Sequence, residues 1–245
     1  MTIASLAMYP FDRLRPSWEQ LWDAVRSRLP FEAPALDWQI PSDAAMRRDD
    51  LLLGQTCGWP LVDALSARVR VVGTFDTDVG GSVDGTYRSV LISAADQPLA
   101  ELFGRDDLVV AVNSLDSLSG WISLQAAARA HGVAVENVEV TTAHARSVEA
   151  VRAGRCHLAS IDSVSWSFLD QTGLFVVGHG PRVPSLPLVM ATAMPEPLVT
   201  ELRVALAAAV ADPATAAVRA VLRIRGFLVR ELTDYQGVAQ LLEVG

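Results

Sequence analysis

Asn113-Ser114-Leu115-Asp116-Ser117-Leu118-Ser119-Gly120-Trp121 joins two apolar segments, and its reading decides the fold. Before it, Asp107-Leu108-Val109-Val110-Ala111-Val112 has the length and content of a buried strand. After it, Ile122-Ser123-Leu124-Gln125-Ala126-Ala127-Ala128-Arg129-Ala130-His131 is an alanine-rich helix stopped by Gly132. Ser117 or Ser119 can cap the helix, Gly120 allows close approach to the backbone, and the first-turn N–H groups carry the positive end of the helix dipole. Such a turn can hold an anion. An ordinary serine cap that binds nothing is the competing reading.

Outward from this stretch, strands and helices alternate. Ile3 to Met8 reads as a strand ending at Tyr9-Pro10, and Trp18, Leu21, Trp22, Val25 and Leu29 mark one face of a helix between Pro16 and Pro30. Leu36 to Ile40 reads as a second strand. Leu51 to Thr56 is a third, ending in Gln55-Thr56-Cys57-Gly58, and polar groups at the carboxyl end of a buried strand are where open α/β sheets place ligands. Further strands are expected at Val69 to Phe75, Tyr87 to Ser93, Val135 to Thr141, His157 to Asp162, Leu174 to Val177 and Leu188 to Ala191. Helices are expected at His144 to Gly154, Ser163 to Leu169, Pro195 to Ala211, Pro213 to Arg225 and Asp234 to Glu243. The proline-rich Gly178 to Pro187 suits a connection between domains. The alternation implies parallel sheets covered by helices on both faces, and Tyr87-Arg88-Ser89 with Pro181 to Pro187 implies two lobes joined by two crossings.

Composition bounds the function. At 245 residues and 51% hydrophobic content the chain is long enough for two modest domains with sizeable cores. Net charge is −8 with a pI near 5.0, which argues against nucleic acid as partner, since phosphate backbones want a basic face. All 20 basic residues are Arg, so Schiff-base chemistry and a phosphate-loop lysine are excluded, and an anion site must rest on local donors. No apolar run approaches the roughly 18 residues of a membrane helix, so no membrane insertion is expected. Cys57 and Cys156 fit neither a disulfide framework nor a zinc spacing, so no metal or cofactor is expected. Met1 to Pro10 contains no export signal, which places the chain in the cytoplasm as written.

Val112-Asn113 through Ser117-Leu118-Ser119-Gly120-Trp121, His144-Ala145-Arg146-Ser147-Val148-Glu149-Ala150-Val151-Arg152-Ala153-Gly154 and the strand into Ile161-Asp162 together carry a family pattern. Tyr9-Pro10, Gln55-Thr56-Cys57-Gly58, Tyr87-Arg88-Ser89 and Pro184-Ser185-Leu186-Pro187 support it. The sequence resembles the phosphate/phosphite/phosphonate-type substrate-binding proteins of ABC importers. The resemblance implies a two-lobed type II periplasmic-binding-protein-like α/β fold, each lobe a mostly parallel sheet flanked by helices, with residues 1–88 and 186–245 in lobe one and 89–185 in lobe two. It implies a small oxyanion or anionic metabolite held in the cleft as lobes close, an ABC permease as partner and a periplasmic location. Ser117, Ser119 and the N–H groups of Gly120 and Trp121 would hold the oxyanion. Tyr9, Gln55 and Thr56 would face it from lobe one, Tyr87 near the hinge, and His144 and Asp162 from lobe two. Where amino-phosphonate binders of the family often carry an acid after the histidine, this chain has Ala145.

Each candidate also has a structural explanation. Asp162 can be the N-cap of the turn Ser163 to Trp166, Trp121 can pack between elements, and His144 can simply cap its helix. Two alternatives to a transport receptor are an enzyme on the same fold using Cys57, His144 and Asp162, and a cytoplasmic small-molecule sensor.

Overall fold

The structure, a computed structural model, describes residues 2–9 and 11–243, without the side chains of 242 and 243; Pro10 of the predicted Tyr9-Pro10 turn lies outside them. The strands are β1 (Ile3–Ser5), β2 (Leu51–Gln55), β3 (Val69–Thr77), β4 (Thr86–Ser93), β5 (Val110–Val112), β6 (Val138–Val140), β7 (Leu158–Asp162), β8 (Phe175–Pro184), β9 (Pro187–Ala191) and β10 (Ile224–Leu228). The α-helices are α1 (Arg15–Arg26), α2 (Ser42–Ala45), α3 (Gly58–Pro60), α4 (Leu99–Phe103), α5 (Ser123–Ala130), α6 (His144–Arg152), α7 (Ser163–Phe168), α8 (Pro197–Ala211), α9 (Ala216–Val221) and α10 (Gly237–Glu243). The chain divides into two compact units. The first holds Met1–Asp78, Ser82–Thr86 and Pro184–Gln236, and the second Val79–Gly81, Tyr87–Val183 and Gly237–Gly245. The sequence reading put residues 237–245 in lobe one, whereas here Gly237–Glu243 groups with the second unit.

In the first unit the sheet order is β1-β2-β9-β3-β10. β1 and β2 are parallel, while β9 runs antiparallel to both β2 and β3, and β10 antiparallel to β3. Leu51, Val69, Val71, Val189 and Ala191 pack with Met46, Leu61, Leu65 and Tyr235 in one core. α1 buries Trp18, Leu21, Trp22 and Val25, the face its 3, 4 and 7 spacing marks, and lies against α8 and α9. At Val72 the β3–β9 register slips by one residue. The carbonyls there are not left bare: Arg203 of α8 donates from Nε to Val72 O (2.9 Å) and from Nη2 to Val71 O (3.0 Å). Gly73 follows, and a Cβ on it would stand 2.5 Å from the Leu228 carbonyl oxygen and from the Phe227 ring. Only glycine lets β10 approach here.

The second unit has the order β6-β5-β7-β4-β8. β5 is parallel to both β6 and β7, and β4 runs antiparallel to β7. β5 is apolar and buried on both faces, and β7 is buried along its length, because helices cover both sides of the sheet there. Ala111, Ala159, Ile161, Val90 and Ile92 face Val148 and Val151 of α6 with Trp166 of α7. Val110, Val112, Leu158 and Leu91 face Leu124 and Ala128 of α5 with Leu102 and Phe103 of α4. The alternation along each strand assigns the two faces.

Several sequence expectations are corrected. The sheets are mixed and not mostly parallel, because β4 and β9, which follow the crossings between units, enter antiparallel. Leu36 to Ile40 is not a strand: only Leu36 bridges to Ala4, and the Asp37 carboxylate accepts from the N–H groups of Gln39 (2.7 Å) and Ile40 (3.0 Å), turning the chain. The helix expected over Pro213 to Arg225 stops at Val221, Arg223 takes a left-handed φ of 57°, and Ile224–Leu228 becomes the unpredicted β10. The prolines at 181 and 184 lie inside β8, which tolerates them as the terminal strand of its sheet. α4 was not anticipated. No single helix among the described residues is long and apolar enough to cross a membrane, and α8 turns its apolar residues Leu202, Leu206 and Val210 into the core.

Gly73→Val tests the close approach of β10. It should destabilise the protein by about 1–3 kcal/mol through overpacking and lower the melting temperature by several degrees in a circular-dichroism melt. An unchanged melt would show that β10 has room to move away.

Candidate functional site

β5 is the inner strand between β6 and β7, and its exit carries the predicted turn. Ser117 is the N-cap: its Oγ accepts from Gly120 N at 3.0 Å, which resolves the choice between Ser117 and Ser119. The following turn, Leu118–Ile122, is wider than an α-turn, because Ser117 O accepts from both Trp121 N (3.0 Å) and Ile122 N (3.1 Å). The N–H groups of Gly120 and Trp121, expected to face an anion, are therefore engaged within the turn. Those of Leu118 and Ser119, at its amino end, meet no acceptor among the described residues. From β7 below, Ser160 Oγ donates to Ser119 O at 2.5 Å and fixes the turn's height over the sheet. Gly120 packs against Asn113, whose Oδ1 would lie 2.1 Å from a Cβ there, so any larger residue would have to turn the Asn113 side chain aside.

α6 brings His144 to the same place. Thr141, just after β6, takes Val112 O (3.0 Å) and Ala143 O (3.2 Å) and shares 2.6 Å with Ser147 Oγ, so β5, β6 and α6 are tied at one point. Thr142 turns the chain with a φ of 69°, and α6 starts at His144 with no side-chain cap. The imidazole Nε2 then stands 3.0 Å from Ser119 Oγ, itself 3.4 Å from Ser117 Oγ. His144 as a residue is half-buried, but its Nδ1 does not reach solvent and has no partner among the described residues. Desolvation, with no countercharge acting on the ring, lowers the His144 pKa to about 4. It is neutral at pH 7.

Ser117, Ser119, Gly120 and His144 are thus brought into contact, with Ser117 and Ser119 only 7% and 5% exposed. Trp121 packs on the core face shared by α5 and β5. Asp162 is buried, and its Oδ1 accepts from Ser165 N at 2.8 Å, the N-cap arrangement for α7. Tyr87 is buried in β4. In the first unit, Tyr9 follows β1 and is buried, Gln55 ends β2 and Thr56 follows it, both buried. Gln55 Oε1 has no partner among the described residues. Sequence reasoning missed two residues of the turn's surroundings. Asn113, the first polar residue after β5, has a buried Oδ1 without a partner among the described residues, and its place at the strand's end could have flagged it. Ser160 sits mid-strand, where nothing local distinguishes it. The alternative nucleophile, Cys57, is buried in the first unit and Cys156 points to Glu139, with burial pushing its thiol up to about 12. Among the described residues no group of His, Cys, Asp and Glu could hold a metal ion.

Residues 6–235 match the family described as ABC transporter, phosphonate, periplasmic substrate-binding protein. The chain belongs to this family. No curated protein matches it by sequence. Similar solved structures include PhnD1 from Prochlorococcus marinus in complex with methylphosphonate, at TM-score 0.78 and 14% identity over 99% of this chain and 97% of that one. A binding protein component of an ABC phosphonate transporter from Pseudomonas aeruginosa aligns at TM-score 0.76 and 17% identity, covering 99% and 85%. XAC2383 from Xanthomonas citri bound to ATP aligns at 0.67 and 16%, covering 99% and 98%. At these identities the likeness establishes the two-sheet α/β fold of type II periplasmic binding proteins.

The low pKa of His144 predicts a pH dependence. The unfolded chain takes up a proton near pH 6.5 that the folded ring refuses until about pH 4, so stability present above pH 6.5 is lost as pH falls through that window. Urea midpoints at pH 7 and pH 5 should show wild type losing more stability than His144→Gln, by at most about 2 kcal/mol. Equal losses would mean that the ring titrates normally.

Proposed function

We propose that this chain captures a small oxyanion, of the phosphonate or phosphate kind, at the Ser117–Trp121 turn, and delivers it as the receptor of an ABC importer. The observation that carries the reading is the contact of the Ser119 hydroxyl with the Ser117 hydroxyl and with His144, at a turn whose Leu118 and Ser119 amides have no acceptor among the described residues. These are neutral donors at the amino end of a helical segment, where partial positive charge collects. In a chain without lysine and with net charge −8, local donors must do what a basic patch does elsewhere. Family membership and the methylphosphonate complex of the Prochlorococcus marinus relative support the ligand class.

Tyr9, Gln55, Thr56 and Tyr87 are proposed as further ligand contacts by the family resemblance, with the bare Gln55 Oε1 as support. Asp162, the N-cap of α7, is proposed as a ligand contact by the family resemblance alone. Ala145 stands where amino-phosphonate binders of the family often carry an acid, so an ammonium group on the ligand would have one counter-charge fewer. A permease is the proposed protein partner and the periplasm the proposed location, both resting on the family. The family is one of transport receptors, consistent with capture and not turnover.

A thermal-shift screen of the chain with methylphosphonate, inorganic phosphate, sulfate and dicarboxylates tests the reading. Ligand at a hundredfold excess over its Kd stabilises by about 2.7 kcal/mol. Ser119→Ala keeps the Ser117 cap, so its melting temperature without ligand should stay within a few degrees. Its affinity for the stabilising phosphorus oxyanion should fall roughly ten- to hundredfold, the worth of a hydrogen bond to a charged group. A shift with dicarboxylates alone, or unchanged affinity in Ser119→Ala, would remove the phosphorus-oxyanion assignment from this turn.

A further inference from the structure

The start of α6 is held in a conformation that its own residues disfavour. Thr142 has a left-handed φ of 69°, which crowds a β-branched side chain, and it is exposed, so no packing of that side chain offsets the strain. Its Oγ1 accepts from Arg146 Nη1 at 2.9 Å, a bond at the surface. Ala143 then stands at the N-cap of α6, a position that favours Ser, Thr, Asp or Asn, and offers no side-chain acceptor. What holds this start lies on either side of it, in two buried hydroxyls. Thr141 Oγ1 is 2.6 Å from Ser147 Oγ, 3.0 Å from Val112 O and 3.2 Å from Ala143 O. With Ser147 O–H donating to Thr141 and Thr141 O–H donating to Val112 O, both protons are used at good distances. In the reverse order Ser147 would reach only Ala143 O, at 3.5 Å. Thr141 N also donates to Val112 O, at 2.8 Å.

Resting on the oxyanion reading above, we infer that Thr141 and Ser147 are positioning residues for ligand capture: their hydroxyls clamp the strained Thr142 between the last carbonyl of β5 and the first turn of α6, and so hold His144 against Ser119. The clamp joins the two elements whose separation sets that contact. Val112 ends β5 just ahead of the Ser117 turn, and Ser147 lies one helical turn after His144 on α6. The Ser119 side of the contact is fixed separately, by Ser160 Oγ donating to Ser119 O at 2.5 Å. Stability alone gives no reason for this arrangement, since a glycine at 142 and a polar N-cap at 143 would form the same turn without strain. Strained residues persist where their surroundings over-determine them, and they gather where a site needs one geometry. Without the Thr141 hydroxyl, Thr142 relaxes toward negative φ. Because it directly precedes Ala143 and His144, that rotation swings the imidazole away from Ser119.

The test compares Thr141→Val, Thr141→Ser, Thr142→Gly and the double variant Thr141→Val/Thr142→Gly in the full chain. Two readouts are taken: methylphosphonate affinity by isothermal titration calorimetry and, without ligand, titration of the His144 ring by NMR. Thr141→Val should weaken methylphosphonate binding roughly tenfold through loss of the His144 contact. Its freed ring should titrate nearer the ordinary 6.5 than the wild-type value of about 4. Thr141→Ser, which keeps the hydroxyl, should match wild type in both. Thr142→Gly should bind within about twofold of wild type, because glycine adopts the same φ freely. For the same reason the double variant should regain most of the affinity that Thr141→Val loses. A purely structural Thr141 would lower the melting temperature and leave affinity and ring titration unchanged, which overturns the inference, as does a double variant that binds no better than Thr141→Val. Should Thr141→Val fail to fold, Ser147→Ala carries the test, since it frees α6 while Thr141 keeps Val112 O: both readouts should move in the same direction, and unchanged values overturn the inference. If wild type binds neither methylphosphonate nor phosphate, the oxyanion reading falls, and the ring titration of the unliganded variants still decides whether Thr141 positions His144.

Discussion

When a buried strand ends at the start of a helix, several backbone N–H groups lose their partners at once, and the structure of the second unit is arranged around that constraint at Ser117. β5 has neighbours on both sides, so its exit cannot slide sideways. Ser117 supplies an oxygen to Gly120 N, the widened turn ties Trp121 and Ile122 to Ser117 O, and Ser160 holds Ser119 from below. What remains is a pair of free amides and two hydroxyls in a nearly dry setting. Water is excluded from the donors by the same packing of α5 and α6 on the sheet that stabilises the unit. The position of these donors and the stability of the fold thus draw on one set of contacts.

The first unit repeats the device with different residues. β2 ends in Gln55-Thr56-Cys57-Gly58, and the helical segment that follows passes from α3 into a wide turn over Leu61–Leu65. Wide turns insert an extra residue against the core and re-aim the chain at the strand's exit, which is why they recur where backbone meets ligand. Here Leu61 and Leu65 anchor the turn in the core while the polar residues stay at the strand end. Both units therefore answer one steric problem, a buried strand feeding a helix, with polar residues that the core does not need.

Arginine, the only basic side chain besides histidine, does structural work away from the turn. Arg203 satisfies the carbonyls of the β3 irregularity, Arg225 forms a two-pronged pair with Asp76, which also accepts from Gly85 N, and Arg182 donates to Gly81 O. These bonds brace the segment between β3 and β4 and the bulge beside β10. Hydrogen bonding to Arg225 holds the Asp76 carboxyl below its ordinary range. At the Ser119–His144 contact no arginine takes part in a hydrogen bond among the described residues, and desolvation alone leaves the imidazole neutral.

By itself the sequence determined the two-sheet α/β plan, the strands with runs such as Leu51–Gln55 and Leu158–Asp162, the helix faces at Trp18 to Val25, and the turn from Ser117 to Trp121. These are local signals: apolar periodicity, glycine stops and hydroxyls at helix starts act over a few residues and survive in a linear reading. Only the tertiary structure decided what depends on partners distant in the chain. β10 forms because β3 offers it an edge that Gly73 leaves open, although Pro213 to Arg225 reads as helix. Leu36 to Ile40 stays out of the sheet because Asp37 bonds its own neighbours, and α10 groups with the unit that the linear order does not suggest. The pairing of Ser119 with His144, 25 residues apart, and the anchoring of Ser119 by Ser160 were likewise invisible. Side-chain direction across a sheet is fixed by register and packing, and neither is written in any one segment.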